Sequence, residues 1–176
     1  MGHLLLAPAV AALVAIVFAP APARAYEDQV GLTLGLGYVS TPIGDRPTHG
    51  IGGGLVLGWG LDDVFTVRGR LDYSVHPGGE GPTQHRGMLG AELLYLLDVL
   101  AWVPYFGAGA AGVAWLVDGD LQPDVGLFLV GGLQYLWQRE LIFGLEVRGL
   151  AVARAPEDEF AQMLVMLSAT YLWEVY

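Results

Sequence analysis

The chain has 176 residues, a formal net charge of −10, 54% hydrophobic residues, 26 glycines and no cysteine. This hydrophobicity excludes a disordered chain, and the length fits one domain. Eight arginines and no lysine against 18 acids exclude the basic face a nucleic-acid binder needs. The absent cysteines exclude disulfides, Cys-ligated metal, a lipoprotein anchor and thiol nucleophiles.

Residues 1–25 read as a signal peptide. Leu4 to Phe18 is almost wholly apolar, and Pro8 and Pro20 leave it too short for a membrane-spanning helix. Ala23 and Ala25 fit the small-x-small cleavage rule, which places the cut before Tyr26. Removing 25 of 176 residues leaves 151, with seven arginines against 18 acids, a charge of −11. Residues 26–176 then form the single mature domain.

From Val30 the hydropathy pattern has period 2, the signal of a β-strand. Val30, Leu32, Leu34, Leu36 and Tyr38 oppose Gly31, Thr33, Gly35 and Gly37. Ile51, Leu55, Leu57 and Trp59 oppose Gly52, Gly54, Val56 and Gly58; Phe65, Val67, Leu71 and Tyr73 oppose Thr66, Arg68, Arg70 and Asp72. Leu89 to Tyr95 alternates in the same way, Tyr105 to Leu116 and Val125 to Trp137 follow, and Leu141 to Val152 sets Gly144, Glu146 and Arg148 against aliphatic residues. An eighth run, Met163 to Trp173, is opposed by Gln162, Ser168, Thr170 and Glu174. One face of each run is aliphatic and the other small, polar or charged, the reverse of what a soluble barrel would place inside. Runs of about 11 residues match a tilted strand crossing a bilayer. The fold expected is all-β, an eight-stranded antiparallel up-and-down transmembrane barrel.

The gaps alternate in length. Thr41–Gly50, His76–His85, Val117–Pro123 and Ala153–Phe160 are long; Asp62–Asp63, Val99–Val103 and Gln138–Glu140 are short. This is the pattern of long outer loops and short periplasmic turns. Aromatic residues near the run ends, including Trp59, Tyr95, Trp102, Tyr105, Trp115, Trp137 and Trp173, suit the interface between headgroups and hydrocarbon.

The alternation, the stretch Pro104-Tyr105-Phe106-Gly107-Ala108-Gly109-Ala110, the stretch Gly144-Leu145-Glu146-Val147-Arg148 and the aromatic C-terminal run resemble the small outer-membrane β-barrel proteins of Gram-negative bacteria, the OmpA/OmpX-like eight-stranded group. The resemblance implies export through the periplasm, folding by the barrel-assembly machinery, and residence in the outer membrane among its lipids and lipopolysaccharide. A monomer without cofactor or nucleic-acid partner is expected. No periplasmic domain follows the barrel, so peptidoglycan binding is not expected. The resemblance implies a structural or interaction role, with a narrow channel or a lipid A-modifying acyl hydrolase or transferase as alternatives.

Three constellations are candidates for chemistry. Parity sends Arg68, Arg70, Asp72, Glu92, Glu146 and Arg148 into the lumen, where three positive and three negative charges would close it as a salt-bridge network in which Arg148 is expected to hold Glu146 or Glu92. Met88, Leu94, Phe128 and Gln134 point inward beside them, and glycines of the first two runs leave room for the arginines. Ser74, His76 and Glu80, with His85 opposite, supply a nucleophile, a base and an acid where the third run enters its loop. Their order departs from the family's His-x-Ser motif, so no catalytic residue is assigned. Asp118, Asp120 and Asp124, with Glu157, Asp158 and Glu159, are candidate weak contacts for a divalent cation in the outer loops. No resident metal is expected. N-terminal sequencing of the membrane-inserted protein should begin at Tyr26; recovery of Met1 or His3 would show that the leader is retained.

Overall fold

The computed structural model describes residues 29–41, 48–77, 83–97, 101–117, 119–153 and 161–174. They form eight strands: β1 Gln29–Thr41, β2 Thr48–Gly60, β3 Phe65–His76, β4 Gln84–Leu96, β5 Trp102–Val117, β6 Asp120–Gln138, β7 Leu141–Val152 and β8 Ala161–Glu174. Each pairs antiparallel with its sequence neighbours, and β1 pairs with β8 from Gln29↔Glu174 to Ser40↔Met163, which closes the barrel. The leader, with its cleavage site, lies outside the described residues.

The alternation in sequence becomes alternation in space. Leu34, Leu89, Leu127, Leu129 and Leu167 point outward and are 63–70% exposed, whereas Thr33, Met88, Phe128 and Met166 point inward and are buried. A belt of exposed leucine this continuous would drive aggregation in water. In hydrocarbon it is the solvated face. Among the described residues no helix is long and apolar enough to cross a membrane, and the strands take that part.

The outer end is defined here as the end bearing the β1–β2, β3–β4, β5–β6 and β7–β8 connections. At the opposite end the aromatic side chains touch in series. Phe65 meets Tyr95 and Tyr95 meets Phe106, both at 5.4 Å; Trp102 packs on Tyr135 at 4.6 Å, and Trp137 lies between Tyr135 and Phe143. A register shift between Leu136 and Gln138 sets Trp137 apart from the ladder. The Asp62 carboxylate closes the β2–β3 turn by accepting from the Val64 and Phe65 amides at 2.8 and 2.6 Å. Two aromatics expected in this girdle are elsewhere. Tyr105 and Trp115 are buried in the lumen. The run of glycine and alanine from Gly107 to Ala114 is small on both faces, so it conceals which way β5 points.

The third outer connection is also shorter than expected. β5 ends at Val117 and β6 begins at Asp120, so two residues join them, with Gly119 at a φ of +88°. Gln122, Pro123 and Asp124 resemble a loop by composition, yet they pair with Trp115, Ala114 and Val113. On the β7 side the described pairing of β6 begins at Val125, whose carbonyl accepts from the Ala153 amide at 2.9 Å.

The lumen is less polar than the sequence suggested. Toward the inner end Leu94, Leu96, Val103, Tyr105, Val130, Ile142 and Leu172 cluster; toward the outer end Met88, Val113, Trp115, Phe128, Leu150 and Val152 do so. Val39, Leu164 and Met166 form a third cluster. The charges lie between these apolar layers. Glycines make their space, though not on both strands expected. On β2, Gly54 and Gly58 stand directly across from Asp72 and Arg68, and a Cβ at Gly54 would fall on the Asp72 carboxylate. On β1, Gly35 instead makes room for Met166. Gly54→Ala is expected to destabilise the barrel by about 1–3 kcal/mol, the usual cost of overpacking. Gly69→Ala, which points into open space, should be near neutral; urea unfolding in lipid vesicles compares the two.

Candidate functional site

β3 carries the centre of the site because its inward positions read Thr66, Arg68, Arg70, Asp72, Ser74 and His76 without an aliphatic residue. Arg68 is the direct cross-strand partner of Glu92 on β4. Its Nε donates to Glu92 Oε1 at 2.6 Å and its Nη2 to Glu146 Oε2 at 2.8 Å. Arg70 meets all three acids. Its Nη1 donates to Glu92 Oε2 at 2.9 Å, Nη2 to Glu146 Oε1 at 2.9 Å, and Nε to Asp72 Oδ2 at 2.9 Å. Arg148 Nη1 donates to Asp72 Oδ2 at 2.7 Å, and Tyr105 adds a hydroxyl to Glu146 Oε2 at 3.0 Å. Phe128 lies beside both Arg70 and Arg148, with guanidinium carbons 5.7 and 5.6 Å from its ring centre.

All six charged residues expected in the lumen thus meet in one buried network. One partner differs from expectation. Arg148 serves Asp72 rather than Glu146 or Glu92, because Arg68 and Arg70 already occupy the oxygens of both glutamates. Arginine suits these positions because its planar fork bridges two carboxylates and its charge is permanent. A network of this kind roughly balances desolvation against attraction, so its removal as a whole costs little, whereas loss of one member strands a buried charge. Little space remains around it. A cavity of about 40 Å³ lies on the inner side, bordered by Thr66, Arg68, Gln134 and Thr170 among others, and one of about 10 Å³ lies on the outer side, bordered by Asp72, Ser74, Arg86 and Arg148.

Above the network lies a layer that sequence reasoning missed in part. Arg86 points inward from β4 and is 4% exposed. Its guanidinium stands 5.1 Å from the Trp115 ring centre. Parity with Met88 was the available signal, but Gln84-His85-Arg86 reads as loop by composition. Ser74 and His76 are brought together there, Ser74 Oγ 3.2 Å from His76 Nε2, and Gln162 Nε2 lies 3.4 Å from the same nitrogen. Glu80 lies outside the described residues. His85 is on the other face of the wall, where its Nδ1 meets the Tyr73 hydroxyl at 2.6 Å; His49 and Tyr38 repeat that pair on the neighbouring hairpin.

Of the candidate cation contacts, Asp118, Glu157, Asp158 and Glu159 lie outside the described residues. Asp120 and Asp124 are strand residues of β6 rather than loop residues, and Asp124 accepts from its neighbour's amide, Val125 N, at 2.7 Å. Among the described residues no group of three or more acidic or histidine side chains is placed to hold a metal.

A closed eight-stranded antiparallel barrel with an aliphatic exterior and charges held inside is the architecture of the small outer-membrane barrels. Solved structures bear this out. Neisserial surface protein A is similar with a TM-score of 0.66 at 14% identity, over 82% of this chain and 97% of that one. The N-terminal β-barrel domain of Pseudomonas aeruginosa OprF gives 0.61 at 15% identity, over 84% and 98%. The outer-membrane enzyme PagL gives 0.55 at 15% identity, over 80% and 98%. No protein-family model and no curated protein sequence matches the chain. The fold is therefore that of an eight-stranded outer-membrane β-barrel.

The network orders its own mutants. Arg70→Ala strands parts of three carboxylates and is expected to cost about 3–5 kcal/mol. Arg148→Ala leaves Asp72 still held by Arg70 and should cost distinctly less. Urea midpoints in lipid vesicles that reverse this order would contradict the assigned partners.

Proposed function

We propose that this chain is an integral outer-membrane protein with a structural or interaction role, exported behind residues 1–25 and exposing its outer connections to the cell's surroundings. The observation that carries the reading is the network of Arg68, Arg70, Asp72, Glu92, Glu146 and Arg148 across the lumen. An ion crossing the barrel would have to part charges held at 2.6 to 2.9 Å on both sides of Arg70. Apolar layers above and below raise the cost further, since charge separation is penalised in a low-dielectric interior. The barrel then serves as an anchor, and function falls to its outer surface and to the lipids and lipopolysaccharide around it.

An acyl hydrolase is the second reading, favoured by the Ser74–His76 contact. Against it, both side chains are buried, at 4% and 1% exposure, and face the lumen rather than the acyl chains outside. Among the described residues His76 Nδ1 has no partner, so none of their acids orients the imidazole as a triad requires. We therefore propose that the chain is not an enzyme.

Purified protein in planar bilayers is expected to show no stable conductance steps, and lipid A incubated with it should keep its mass. Stable steps would transfer the function to a channel. A mass loss equal to one acyl chain, abolished by Ser74→Ala, would transfer it to a hydrolase.

A further inference from the structure

Among the described residues the buried charges do not balance once Arg86 is counted. Four buried guanidinium groups, of Arg68, Arg70, Arg86 and Arg148, face three buried carboxylates, of Asp72, Glu92 and Glu146. The salt bridges of all three acids go to Arg68, Arg70 and Arg148. Among the described residues Arg86 forms no salt bridge, and its Nη1 has no hydrogen-bond partner. A buried cation without a counter-charge is strongly disfavoured, and arginine cannot escape by losing its proton.

The surroundings of Arg86 repeat the same shortage of acceptors. Ser74, Arg86 and Trp115 are direct cross-strand neighbours on β3, β4 and β5, so they share one level of the lumen. Trp115 Nε1, a donor only, is buried without a partner. One step outward, Gln162 Nε2 can only donate, so His76 Nε2 is the acceptor and Nδ1 carries the hydrogen. That Nδ1 is buried without a partner as well. The cavity of about 10 Å³ bordered by Asp72, Ser74, Arg86 and Arg148 has room for about one atom-sized guest.

We infer that the outer end of the lumen holds a small monovalent inorganic anion of halide size against Arg86, with the Trp115 indole N–H as its neutral donor. The anion brings the buried charges of the described residues to four against four. It belongs to the barrel's structure and does not need the surface role proposed above. The rival occupant is a water joining Arg86 to Asp72, whose Oδ1 is the one buried carboxylate oxygen without a partner among the described residues. Such a water would satisfy the hydrogen bonds and leave the excess charge.

Two measurements decide between them. Crystals of the folded barrel grown in bromide should show an anomalous peak beside Arg86, absent from Arg86→Gln. In vesicles at constant ionic strength, the urea midpoint of the wild type should be higher in chloride or bromide than in gluconate. That difference should vanish in Arg86→Gln and shrink in Trp115→Phe, which keeps the ring and loses the N–H. Should Arg86→Gln fail to fold, the wild type and Trp115→Phe carry the comparison. A water in place of the peak, or equal midpoints in all three salts, overturns the inference. A peak at crystal concentrations without any shift in solution marks an adventitious ion only and overturns it too.

Discussion

The fold depends on one requirement: in hydrocarbon, every backbone N–H and C=O must find a partner within the protein. A sheet meets it only by closing on itself, and the pairing of β1 with β8 over Gln29↔Glu174 to Ser40↔Met163 does this. Closure with eight strands fixes a lumen that side chains can fill. The interior problem follows. Any charge directed inward is remote from water on all sides, so it persists only with partners. Arg70 at the centre of three acids, Tyr105 turned inward to Glu146, and the glycines of β2 that give Asp72 and Arg68 their space are all answers to that constraint.

Much of this was legible in the sequence because a strand's two faces are written in alternate letters. The order and number of strands followed from period 2, and the six charges of the network followed from parity on β3, β4 and β7, where bulky aliphatic residues mark the outward face without ambiguity. Parity gives a side but not a height or a partner. That is why Arg148 could be placed in the lumen and still be assigned to the wrong acids. Where both faces are small, as from Gly107 to Ala114, even the side was lost, and Tyr105 and Trp115 were read as girdle residues.

Loop composition misled in two other places. Gln84-His85-Arg86 and Gln122-Pro123-Asp124 are ladder residues with loop chemistry. The first concealed Arg86, the residue on which the lumen's charge balance turns. The second concealed a two-residue turn at Gly119 and moved Asp120 and Asp124 from a supposed cation loop onto a strand.

The first residues of β6 have a consequence of their own. Among the described residues, the start of β6 from Asp120 pairs with β5 alone, and a strand paired on one side is an edge, here over roughly 17 Å at the usual rise per residue. Such an edge is a template for another chain, and in a membrane crowded with identical barrels the nearest chain is a copy of this one. Proline cannot extend a ladder, and like charges resist a matching strand. Pro123 between Asp120 and Asp124 supplies both obstacles on the exposed stretch. Along most of the barrel closure removes every edge; at the start of β6, Asp120, Pro123 and Asp124 make the chain a poor template for a further strand.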